Sequence, residues 1–118
     1  MVTVAVPVVS PEGMDSELND HFGMAEDFAV FDYDNGEVTG LRFVSNDSSV
    51  EGAKTNAEIL VEDDVKMVLA GYIGPHMLTV LLDSGIRVFK GAVGTLEDAI
   101  EDFKAGMLTE VHTPGEMF

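Results

Sequence analysis

The side chains in this chain with the chemistry to hold a metal are three histidines and seven methionines, together with 22 carboxylates; cysteine is absent. Two short segments concentrate that chemistry. His21-Phe22-Gly23 stands in a stretch without hydrophobic periodicity, where a neutral imidazole can ligate a metal through one ring nitrogen. Gly23 would let backbone approach a bulky ligand. A surface histidine hydrogen-bonded to its own loop fits the same pattern, so spacing alone leaves both readings open. The second segment is Gly71-Tyr72-Ile73-Gly74-Pro75-His76. If Pro75 opens a helix, the unsatisfied N–H groups of its first turn and the helix dipole make an anion site needing no lysine. A bare G-x-x-G is also ordinary strand-to-helix turn chemistry. Met14, Met24 and Met77 lie in or beside these segments; thioethers suit soft metals such as Cu(I), and methionine equally fills gaps in a core.

Positioning these residues requires a scaffold, and its elements are legible. Val2, Val4, Val6 and Val8 alternate with residues that carry no charge, which predicts a central strand over 2–9, apolar on both faces. A second strand runs from Phe28 to Asp34. Asn35-Gly36 tolerates positive φ at both positions and predicts a hairpin to a third strand over 37–45, with Gly40 marking a bulge. Asp47 to Gly52 is a polar loop. Ala53, Ala57, Leu60 and Val61 then fall at helical spacing, and Lys54 at that helix start could add a positive charge or be a solvated surface residue. Val65 to Ala70 reads as a buried parallel strand. Met77, Leu78, Leu81 and Leu82 form the stripe of a helix opened by Gly74-Pro75 and stopped by Gly85. Ile86 to Phe89 make a fifth strand. Thr95-Leu96-Glu97-Asp98 is a capping-box variant before a third helix closed by Gly106. The order β-β-β-α-β-α-β-α predicts one α/β domain over 1–106, a mixed five-stranded sheet with helices on its faces. Residues 107–118 lack periodicity and are expected to form a loose tail. Ligands of open α/β sheets bind beyond the carboxyl ends of the parallel strands, which here lead into loops 10–25, 71–75 and 90–95.

Composition narrows the function. Without cysteine there is no disulfide, no thiolate zinc site, no thiol nucleophile and no Cys-ligated iron–sulfur cluster. Six basic residues against 22 acidic ones, a formal charge of −16, would repel phosphates, so nucleic acid is excluded as a partner. Such acidity reads as solubility, as adaptation to a salt-rich cytoplasm, or as a docking face for a basic partner. No basic segment with an apolar core precedes Val2 and no 18-residue apolar span occurs, so a cytoplasmic chain without membrane insertion is expected. A two-metal nuclease would need carboxylates on the first strand and after the fourth, and neither is present. Nucleophile-elbow and P-loop motifs are missing too, and no enzyme activity is expected.

Taken together, "VTVAVPV", "HFGMAEDFAVFDYDNGEV" and "LAGYIGPHMLTVLLDSGIRVFKGAVGTLEDAI" resemble the dinitrogenase iron–molybdenum cofactor binding family, over about residues 2–105. The family includes nitrogenase cofactor carrier and insertion proteins and small stand-alone archaeal and bacterial members. The resemblance implies a ribonuclease-H-like fold without nuclease residues. It also implies noncovalent carriage of an anionic metal–sulfur cluster, either the iron–molybdenum cofactor or its precursor, or the molybdenum–copper sulfide cluster held by an orange-coloured member. The binding residues implied are His21, Phe22, Gly23, Gly71, Gly74, Pro75 and His76, with His21 as metal ligand and Met14, Met24 and His76 as further candidates. The partner implied is a cluster donor or acceptor protein, the chain itself being a monomer or weak homodimer. The cysteines that help hold clusters in some relatives have no counterpart here. The competing reading is a regulatory or scaffold domain that kept the fold, lost the ligand and acts through its acidic surface.

Overall fold

The protein is described here from a computed structural model, over residues 1–47 and 51–117. The valine-rich opening forms the central strand β1, Val2–Val8, which pairs antiparallel with β2, Asp27–Asp34, and parallel with β4, Met67–Ala70. Asn35 and Gly36 have φ of 50° and 84°, as the tight primed turn requires, and join β2 to β3, Glu37–Ser45. The register between these strands shifts at Gly40, whose φ of 65° sets the expected bulge. Beyond β4 lies β5, Arg87–Lys90, in parallel.

The sheet has six strands, not five, in the order β3-β2-β1-β4-β5-β6. The additional strand β6, Thr109–Val111, runs antiparallel to β5 within the segment expected to be a loose tail. A turn of 3-10 helix follows at Pro114–Met117, and Val111 and Met117 are buried in the core. Arg87 donates from its Nε and a terminal nitrogen to the two Glu110 carboxylate oxygens at 3.1 and 2.8 Å, tying β6 to β5. Lys90 Nζ reaches the Glu116 carbonyl.

Three helices cover the sheet. The first, α1, spans Asn56–Glu62 and not the Ala53 start expected. Thr55 accepts from the Glu58 N–H while Glu58 accepts from the Thr55 N–H, a full capping box that fixes the start three residues later. Val61 is consequently exposed rather than part of the buried stripe. Helix α2, Pro75–Asp83, begins at its proline, and α3, Leu96–Lys104, carries the expected Thr95–Asp98 box. Ala57, Leu60, Leu78 and Leu81 of α1 and α2 pack with Ala5 and Val68 on one face. Leu96, Ala99 and Ile100 of α3 pack with Val4, Val6 and Leu69 on the other. Each of the buried leucine, isoleucine and valine side chains contributes about 1.5–3 kcal/mol. No helix among the described residues is long and apolar enough to cross a membrane. Ser48, Ser49 and Val50 of the polar loop, and Phe118, lie outside the described residues.

Candidate functional site

Parallel strands β1, β4 and β5 all end on the same edge of the sheet, so the three loops that follow them are brought together. The loop after β1 passes over this edge from one face to the other. Its first part is tied to the α3 side, where Leu96 N–H donates to Ser16 O at 2.8 Å and Leu18 N–H to Gly94 O at 3.0 Å. Met14 and Leu18 pack on that face. Asn19 N–H then donates to Pro7 O at 2.9 Å, on the edge itself. By Phe22 the chain has reached the opposite core. Ser16, buried in this loop, closes its entry by donating to Gly13 O and accepting from the Glu12 N–H, both at 2.7 Å.

Phe22–Met24 form one turn of 3-10 helix with His21 at its start. The ring of Phe22 is buried and meets Phe28 edge-on, with centroids 5.2 Å apart. Phe22 therefore anchors the turn in the core by its ring. His21, Gly23 and Met24 face outward. Asn19 Oδ1 accepts from the His21 N–H at 2.9 Å. On the other flank Asn56, the first residue of α1, is buried and donates from Nδ2 to Phe22 O at 2.8 Å and Ala25 O at 2.9 Å. Its Oδ1 accepts from Asn46 Nδ2 at 2.8 Å. The carbonyls of Phe22, at the start of the turn, and Ala25, just past its end, are thus both held from a neighbouring helix.

The loop after β4 lies against this turn. A Cβ built on Gly23 would sit 3.5 Å from Met77 Cε, so the His21 turn and the start of α2 are in contact. A Cβ on Gly71 would meet Ala92 O at 3.2 Å and lie 3.9 Å from Asp20 Oδ1, which places all three loops around this one glycine. Ala92 N–H also donates to Ala70 O at 3.2 Å. Gly74 caps α2 with φ −60° and ψ 150° and no side-chain hydrogen bond, unlike the capped starts of α1 and α3. Pro75 and His76 are exposed beside it.

The structure thus gathers His21, Gly23, Gly71, Gly74, Pro75 and His76 on one end of the sheet. It separates the methionines: Met14 packs beside α3, Met24 is exposed on the turn, and Met77 packs between Gly23 and the core. Lys54 lies ahead of α1 with its Nζ 2.6 Å from both Glu62 carboxylate oxygens, so its charge is spent there. Arg42, Lys66, Arg87 and Lys104 likewise sit within 4 Å of carboxylates elsewhere. Among the described residues no group of three or more His, Asp or Glu side chains is arranged to hold a bare metal ion. Of two clefts among the described residues, one opens on this same end, where Asp27 pairs with Val8 and Ser45, and the other lies on the helices. The first, of about 320 Å³, is lined by Glu26, Asp27, Ser45, Asn46 and Asp47, and the second, of about 180 Å³, runs between α1 and α2 beside Glu58 and Glu62. Their carboxylates disfavour an anionic ligand.

The family model described as dinitrogenase iron-molybdenum cofactor matches residues 2–106. The chain belongs to that family. Among its relatives, an uncharacterized protein of Methanocaldococcus jannaschii is 25% identical over 111 residues, covering 92% of this chain and 90% of that one. A NifB-like protein of Thermotoga, solved by NMR, is 31% identical with a TM-score of 0.76, and 96% of each chain is covered. The apo form of the orange protein from Desulfovibrio gigas is 25% identical with a TM-score of 0.81, covering 96% of this chain and 95% of that one. The family is one that binds the iron–molybdenum cofactor. All three loops fall inside the matched span, whereas β6 lies beyond it.

Sequence reasoning passed over Asn56 and Asn46. The Thr55-x-x-Glu58 box was a signal that Asn56 opens a helix, but nothing local marked its side chain as buried.

Proposed function

We propose that this chain binds an anionic metal–sulfur cluster, noncovalently, on the end of the sheet where the His21 turn meets the Gly71–His76 loop, and carries it between proteins. The observation that supports this most is the convergence of those two segments, 50 residues apart in sequence, at Gly23–Met77 and Gly71–Asp20. A cluster whose sulfides are already bonded to its metals needs no protein thiolate. It needs open surface, N–H donors aimed at its sulfurs and an imidazole to fix it. The start of α2 offers the donors, since the first N–H groups of a helix have no partner within it and its dipole favours anions. Gly74 has ordinary φ and open space around its Cβ position. The fold itself therefore makes no demand for glycine there, and bare backbone is what an approaching cluster would use. His21 and His76 stand ready as ligands. The net charge of −16 opposes an anion, but salt screens charges farther away than about 10 Å, so the donors at the site compete only with the few carboxylates beside it.

Anaerobic titration of the apo-protein with tetrathiomolybdate, with and without Cu(I), and then with the iron–molybdenum cofactor, tests this reading. New visible absorption with stoichiometric bound metal, weakened at least about tenfold in His21→Ala, is the expected result. Equal binding by His21→Ala and by a Gly74→Val variant would overturn the site. No binding of any cluster would favour the acidic scaffold domain instead.

A further inference from the structure

We infer that the same end of the sheet is a docking face for a protein whose contact surface is apolar at its centre and ringed by Lys and Arg. The face itself stands on exposure and charge; its use for cluster transfer rests on the function proposed above.

Val9, Met24, Tyr72 and Val93 are 56, 78, 39 and 60% exposed, and all four lie on the loops that follow β1, β4 and β5. The loop contacts bring their segments to one end of the sheet: Val9 N–H donates to Glu17 O, Leu18 N–H to Gly94 O beside Val93, Gly71 beside Tyr72 lies against Ala92 and Asp20, and Gly23 beside Met24 lies against Met77. A cluster of exposed apolar side chains around a binding site marks a surface that is covered in use.

Its border is mainly acidic, the one Lys or Arg on these loops being Lys90, whose Nζ is hydrogen-bonded to the Glu116 carbonyl. Glu12, Asp15, Glu17 and Asp20 are exposed on the first loop. No Lys or Arg occurs before Arg42, between 67 and 86, or between 91 and 103. Two copies of this chain would bring acidic borders together, so self-association is opposed, and a partner of opposite sign is steered in. Helix α3, with Glu97, Asp98, Glu101 and Asp102, is as acidic but adds no exposed large apolar side chain. The combination of apolar centre and acidic border belongs to the loop end. For a carrier the arrangement has a direct consequence. Carboxylates beside the site weaken retention of an anionic cargo, and the partner's cations offset them at the moment of contact, favouring handover.

The test is an NMR titration of the 15N-labelled full chain with a synthetic helical peptide bearing Leu on one face and Lys on the other. A second peptide replaces every Leu by Ser at the same charge. Expected are shifts concentrated in residues 9–24, 71–76 and 91–95, affinity at least about tenfold above the Ser peptide, and loss of that difference in Met24→Ser/Val93→Ser. Equal affinity for the two peptides, shifts centred on α3, or dimerisation of the free chain through this face would each overturn the inference. The titration needs no cluster, so its outcome stands whether or not tetrathiomolybdate binds.

Discussion

Replacing Asn56 by alanine tests how the His21 turn is held. The change removes the donor to Phe22 O and Ala25 O and the acceptor for Asn46 Nδ2, all between 2.8 and 2.9 Å and all buried. Each such bond contributes about 0.5–1.5 kcal/mol net, and a buried carbonyl left without a donor costs about 1–3 kcal/mol. Two contacts soften the loss. Phe22 O keeps the Ala25 N–H at 3.4 Å, and Asn46 Nδ2 keeps Lys54 O at 2.9 Å. The expected destabilisation is about 3 kcal/mol, which at a urea slope of roughly 1.5 kcal/mol/M lowers the midpoint by about 2 M. Amides of Met24 and Ala25 should exchange faster than the global unfolding rate allows, because the turn loosens before the sheet does. Leu60→Ala serves as a control: it cuts a buried side chain of the same helix at a cost of about 2–5 kcal/mol while leaving the Asn56 hydrogen bonds to the turn in place. Under the proposed function, cluster affinity falls in Asn56→Ala and is unchanged in Leu60→Ala. A midpoint shift under about 0.3 M, or normal protection of Met24 and Ala25 in Asn56→Ala, would refute the idea that this side chain grips the turn.

Gly94→Ala should destabilise by about 2–3 kcal/mol, because φ is 87° there and the new Cβ would fall 2.4 Å from Asp98 Oδ2, disturbing the cap of α3. In urea denaturation the double variant with Asp98→Ala should lose less than the sum of the two single changes. Ending the chain after Gly106 removes β6 and the buried Val111 and Met117, and thermal unfolding should report a loss of about 3 kcal/mol or more; a silent deletion would mean this segment adds nothing to the core. The Arg87 guanidinium holds the Glu110 carboxyl below its ordinary value, with His112 adding to the effect, and the His112 N–H does the same for Glu116. Both titrate lower folded than unfolded. Their stabilisation is therefore full above the usual carboxylate range, near 4.3, and is lost as pH falls through the folded values. Stability measured from pH 7 to 3 should fall less steeply in Glu110→Gln than in the wild type.

Features set by short-range sterics were legible in the sequence. The Asn35-Gly36 hairpin, the Gly40 bulge, the start of α2 at Pro75 and the Thr95 cap each depend on a few adjacent residues, and each stands where their chemistry directs. The alternation of Val2–Val8 likewise sufficed to place a central strand between two cores. The sequence also excluded thiolate chemistry outright. What it left undecided depends on partners distant in the chain. Thr109–Val111 has no periodicity and becomes a strand because the edge of β5 leaves hydrogen-bonding groups to be paired. Nothing local showed that the 3-10 turn aims the Phe22 ring at Phe28 and the core. Asn56, an unremarkable polar residue in sequence, is buried because carbonyls 31 and 34 residues away need its donors. The site is of the same kind. Its two glycine-bearing segments meet only because β1 and β4 lie side by side and end on one edge, a fact of strand order that no local pattern encodes.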